Sequence, residues 1–284
     1  MRWPVPILAL LLLAHPAGAE FYNDHDKEPH NYFGVRMEDP MTKIMARVQG
    51  GELTIDEEAG RPLLDRMLEE LDLDPHSQVL VFSKTSLQKS EIGPRNPRGI
   101  YFNDEVYLGW MAGGRIEIAS FDPRLGPVFW FQRPLREEKP PLFARNRSCL
   151  GCHAGAATNY RPGVLGRSIY PDARGRSIDD ASDFWRSGHD VPFEERWGGW
   201  YVTGKYGSMR HLGNSIAQRE GRNASIDSDA HANLQKLDQF FPTGNYPVPG
   251  SDIVALLVFD HQVTMHHNLV EAAYRCLLYT SPSP

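Results

Sequence analysis

Two cysteines and a histidine stand within five residues, Cys149-Leu150-Gly151-Cys152-His153. On a helix, positions i, i+3 and i+4 share one face, so both thiols and the imidazole point the same way. Four chemistries use such a pair of thiols. Half of a zinc site needs a second pair of ligands, and the third cysteine, Cys276, stands alone. A redox dithiol ordinarily sits at the end of a strand in a thioredoxin-like βαβ context, which this sequence lacks. A disulfide across two residues staples very little chain. The fourth is covalent capture of a haem, in which the thiols form thioethers with its two vinyl groups and the following histidine binds the iron. It also explains why the two cysteines sit together and directly precede a histidine.

On these five residues the chain resembles the c-type cytochromes. The resemblance implies one haem c, held covalently by Cys149 and Cys152 with His153 as proximal axial ligand. It further implies single-electron exchange with a redox partner protein in the bacterial periplasm or outside the cell. The compact electron-carrier domain is not matched, because about 130 residues separate the motif from a signal sequence and over a hundred follow it. Its usual distal methionine therefore cannot be carried over to a position here. An exchangeable sixth site would instead make the chain a peroxidase-like haem oxidoreductase or a haem-based sensor or binding module.

Candidates for the sixth ligand downstream are His189, Met209, His211, His261, Met265, His266 and His267. The order of preference is His211, His261, Met209. Met209 and His211 lie in the segment Gly207 to Asn214, whose glycines permit close approach of backbone to a cofactor. The segment Glu194 to Tyr201 is rich in aromatic residues. Trp197, Trp200 and Tyr201 could stack on a porphyrin with Arg196 reaching a propionate, or they could form a core. Asp227 and Asp229, and Asp179, Asp180 and Asp183, lack EF-hand spacing and read as solvated loops. His25 and His30 read as a polar lead-in. No phosphate-binding loop, dinucleotide fingerprint or nucleophile elbow is present.

The elements that position these groups are those of an ordinary globular chain. With 41% hydrophobic and 23% charged residues, disorder and coiled coil are disfavoured. Thirty basic against 36 acidic residues give a net charge of −6, which points away from nucleic acid. Residues 1–19 read as an export signal: Arg2, the apolar run Ile7 to Ala14, then Ala17-Gly18-Ala19. That run is far short of the ~20 residues of a membrane span. Residues 276–284 read as the translation of a sequencing-library adapter appended to a truncated chain.

The expected class is α+β. Residues 20–139 form a small unit with a mainly antiparallel sheet, and residues 140–275 a loop-rich, mainly helical region that binds the haem. Apolar spacing predicts helices over 61–73, 142–153 and 252–274. Strands are expected over 78–83, 99–102, 105–110, 115–120 and 128–132, separated by turn clusters.

Overall fold

The computed structural model describes residues 25–133, 142–178, 186–220 and 223–281. Helix α1 (Pro40–Gln49) starts at Asp39, whose carboxylate accepts from the amides of Met41 and Thr42. Proline follows at the first helical position, where its missing N–H costs nothing. Helix α2 (Arg61–Glu70) buries Leu63, Leu64, Met67 and Leu68 along one face. Strands β1 (Val79–Val81), β2 (Arg98–Phe102), β3 (Val106–Trp110), β4 (Glu117–Asp122), β5 (Gly126–Gln132) and β6 (Phe143–Arg145) then form an antiparallel meander. Side chains make the turns. Asn103 Oδ1 accepts from the amides of Glu105 and Val106, and Asp122 Oδ1 from those of Arg124 and Leu125.

The chain continues through the one-turn helix α3 (Leu150–His153), strands β7 (Gly166–Arg167) and β8 (Arg186–Ser187), and β9 (Trp200–Tyr201). A hairpin, β10 (Gln218–Glu220) and β11 (Asn223–Ser225), precedes the long helix α4 (Ile253–Thr280), which Asp252 caps. Strand β9 pairs with β1, so the sheet has seven strands in the order β6-β5-β4-β3-β2-β1-β9. Among the described residues no helix is long and apolar enough to cross a membrane.

Both sheet faces are covered, and strand alternation sorts the side chains between them. On one face Tyr101, Leu108, Trp110, Ile118, Val128 and Trp130 pack with α1 and α2. On the other, Ile100, Phe102, Tyr107, Ala119 and Phe129 pack with Leu256, Phe259 and Val263 of α4 and with Trp197 and Trp200. The molecule is thus α+β around a mainly antiparallel sheet.

Three expectations change. The helix expected over 142–153 is helical only at its end, because Phe143 to Arg145 pair with β5 and the Asn146 side chain caps the next turn through the Ser148 amide. Among the described residues the region after 139 is largely loop and short strand, with α4 its one long helix, and it shares its sheet with the first half through β6 and β9. Helix α4 runs on to Thr280, through the segment read as adapter sequence. Residues 1–19, read as an export signal, lie outside the described residues.

Candidate functional site

Helix α3 lies over the sheet face that α4 also covers, where Cys149 and Leu150 pack against its core. Cys149 is partly buried, Cys152 is exposed, and neither forms a disulfide. The His153 ring rests on Phe129, with centroids 4.6 Å apart. Its Nδ1 is 2.7 Å from the carbonyl of Gly163, while the Gly163 amide donates back to the His153 carbonyl at 2.8 Å. A carbonyl only accepts, so Nδ1 carries the hydrogen and Nε2 keeps its lone pair. That is the tautomer of a metal-binding imidazole with its outer nitrogen fixed by backbone. Burial, aided by the nearby charges of Arg98 and Arg167, pushes the His153 pKa down to about 4. The imidazole is therefore neutral at pH 7.

A partly buried ion pair beside the motif has no signature in the sequence. Arg98 on β2 reaches across β3 to Glu117 on β4, with Nη2 to Oε2 at 2.6 Å. The crossing needs glycine at 109, since a Cβ there would collide with the guanidinium. Ser86 and Gln88 also donate to Glu117. The Arg98 Nε–H is buried and has no partner.

Burial, with the Glu117 charge adding to it, pushes the Cys149 thiol up to about 11. A dithiol that attacks disulfides needs the opposite, a lowered thiol pKa. A haem would meet two unbridged thiols, an imidazole lone pair, and a buried guanidinium N–H of the right charge for a propionate. These residues fit the group.

The other candidates stand elsewhere. His211 is buried against Trp197 and Tyr206, with ring centroids at 5.3 and 4.9 Å. Its Nδ1 accepts from the Gly213 amide at 3.0 Å, so Nε2 carries a hydrogen, and that atom has no partner. The loop holding His211 is tied beside β9 by Asn214, which bonds both backbone groups of Val202. Strands β5, under His153, and β9 are five spacings apart, roughly 24 Å at ~4.8 Å per step. Met209 follows Tyr206 in the same loop. His261 faces His189 on the surface. His266 stacks on Phe121, and Met265 is exposed. His267 comes nearest to the motif's network, holding the Val164 carbonyl next to the one held by His153. None of the three preferred sixth ligands is among the partners of His153.

The aromatic segment reads as core. Trp197 is fully buried and donates to Asp260 Oδ2 at 3.0 Å, and Trp200 donates to the Arg167 carbonyl. Arg196 is committed to the carbonyls of His189 and Val191 and to Asp260. Tyr201 points to the opposite sheet face from α3 and donates to the Pro94 carbonyl. Asp227 closes a turn onto Asp229 and Ala230, and His30 is buried on Tyr274. Asp179, Asp180 and Asp183 lie outside the described residues. Among the described residues no group of three or more His, Cys, Asp or Glu side chains could hold a metal ion.

Comparison with protein-family models, curated proteins and solved structures returned no match to this chain.

His211 gives a pH prediction. Burial, with Arg210 nearby, holds its pKa at about 4, below the ordinary 6.5. The unfolded chain therefore binds the proton more tightly. The stability linked to neutral His211 is complete above pH 6.5 and is lost as pH falls through 4. His211→Leu should cost about 1 kcal/mol at pH 7, through the lost Gly213 bond. It should cost less at pH 4.5, as urea melts at both values will measure.

Proposed function

We propose that the chain is an exported c-type cytochrome that carries one haem c and passes single electrons to a partner protein. The observation that carries this reading is His153. Its Nδ1–H is spent on Gly163, its Nε2 lone pair is available, and two unbridged thiols stand one and four residues before it on one short helical segment. Cys149 and Cys152 would hold the haem, His153 would bind its iron, and Arg98 would face a propionate. The haem supplies reversible one-electron chemistry. The sheet face and α4 supply burial, which with Arg98 sets how easily the iron is reduced.

A second reading has one observation in its favour: none of His211, Met209 and His261 is among the contacts of His153. A sixth position filled by none of them suits a haem oxidoreductase or sensor, whose iron exchanges ligands.

The test is an absorption spectrum of the exported protein, reduced with dithionite, before and after carbon monoxide. Haem c bands indifferent to carbon monoxide are expected for electron transfer. A shifted Soret band selects the second reading. No haem bands at all overturns both.

A further inference from the structure

We propose that His189 and His261 form a surface site for a divalent late transition-metal ion such as Zn2+, apart from the CxxCH motif. Their Nδ1 atoms are 3.0 Å apart, with ring centroids at 4.9 Å and planes inclined by 32°. Metal–imidazole bonds of about 2.0–2.1 Å meeting at zinc's tetrahedral angle place their nitrogens roughly 3.3 Å apart, so the hydrogen-bonded pair need open by only a few tenths of an ångström to admit an ion. Both rings are exposed, so an ion and its waters have access. Neutral imidazole selects zinc, copper or nickel over magnesium or calcium.

The pair is built from below rather than met by chance on a mobile surface. Asp260, the residue before His261, is buried in α4 and accepts from Ser187 Oγ at 2.8 Å and from Trp197 Nε1 at 3.0 Å. Ser187 ends β8, two residues before His189. Arg196, 3.6 Å from Asp260, donates from Nη2 to the His189 carbonyl at 2.9 Å and from Nε to the Val191 carbonyl at 2.6 Å. Between them a Cβ on Gly188 would crowd the side chains of Asp190 and Thr264. One buried carboxylate thus fixes the helix bearing one histidine and the loop bearing the other. The ordering cost of bringing two ligands together is met in folding, which favours binding. The Asp190 carboxylate is engaged by Arg186 at 3.0 Å, so the protein supplies two ligands and water the rest.

Zn2+ titrated calorimetrically into the full chain tests this. The parent is Cys149→Ala/Cys152→Ala, which removes the motif's thiols from competition and makes the result independent of haem. Binding of one Zn2+ is expected, weakened roughly tenfold or more when either His189→Ala or His261→Ala is added. Circular dichroism will verify that these surface variants fold. Absence of binding in the parent, or equal affinity after both histidine replacements, overturns the site.

Discussion

Exported with haem available, the Cys149→Ala/Cys152→Ala variant will hold no haem through denaturation, whereas the wild type will. The reasoning is one of bond type. Two thioethers survive unfolding, and a lone His153–iron bond does not. His153→Ala should keep covalent haem while its axial field, and so its spectrum, changes. A denaturing gel stained for haem, read beside absorption spectra, measures both. Haem retained by the double cysteine variant on that gel would falsify the attachment proposed for α3. Because Cys149 is only partly buried and Cys152 is exposed, alanine at both positions should leave the fold standing. Lost haem will then report lost bonds rather than lost structure.

Asp260→Ala should destabilise the chain by about 3–5 kcal/mol, the cost of leaving a buried charge without its partner. The residue is 1% exposed, and its carboxylate joins three parts of the fold: β8, the segment at 196 and 197, and α4. Ser187 and Trp197 donate to it, Arg196 stands 3.6 Å away, and α4 carries it. Its removal leaves the indole N–H without its acceptor and the buried guanidinium without its counter-charge. The measurement is the urea midpoint at pH 7, with the slope of the transition unchanged.

Asp260→Asn separates the charge from the hydrogen bonds. Burial raises the Asp260 pKa to about 6, against an ordinary 3.8. The folded state therefore holds this proton more tightly, and the associated stability is lost as pH rises from about 4 through 6. The Asn variant lacks that loss, so its deficit relative to wild type should narrow across the same window.

Much of the sheet is legible in the amino-acid sequence. Strands β1 to β5 fall on runs that turn residues bound, because Asn103 and Asp122 make their turns locally, within three residues. Helix α4 declares itself by apolar spacing behind Asp252. Helix α1 carries a readable signal too, Asp39 followed by Pro40, although none of the expected helices covers it. The helix expected over 142–153 fails because local propensity yields to pairing. Once Phe143 to Arg145 join β5, helix is left only to the motif itself.

What the sequence by itself determined is the set of groups at the motif: two thiols and an imidazole, spaced so that one helical turn aligns them. Covalent geometry decides that, and it needs no other part of the chain. What only the tertiary structure decided is everything that qualifies those groups. Gly163 assigns the His153 tautomer from ten residues away, and Arg98 and Glu117 meet across a third strand at Gly109. Strand β9 separates Trp200 from Tyr201 onto opposite faces by pairing with residues 80 and 81, more than a hundred positions earlier. Tertiary packing likewise sets His211 against Trp197 and Tyr206 and brings His189 to His261. Contacts of that span depend on how faces are shared between distant elements. Spacing along the chain carries no record of them.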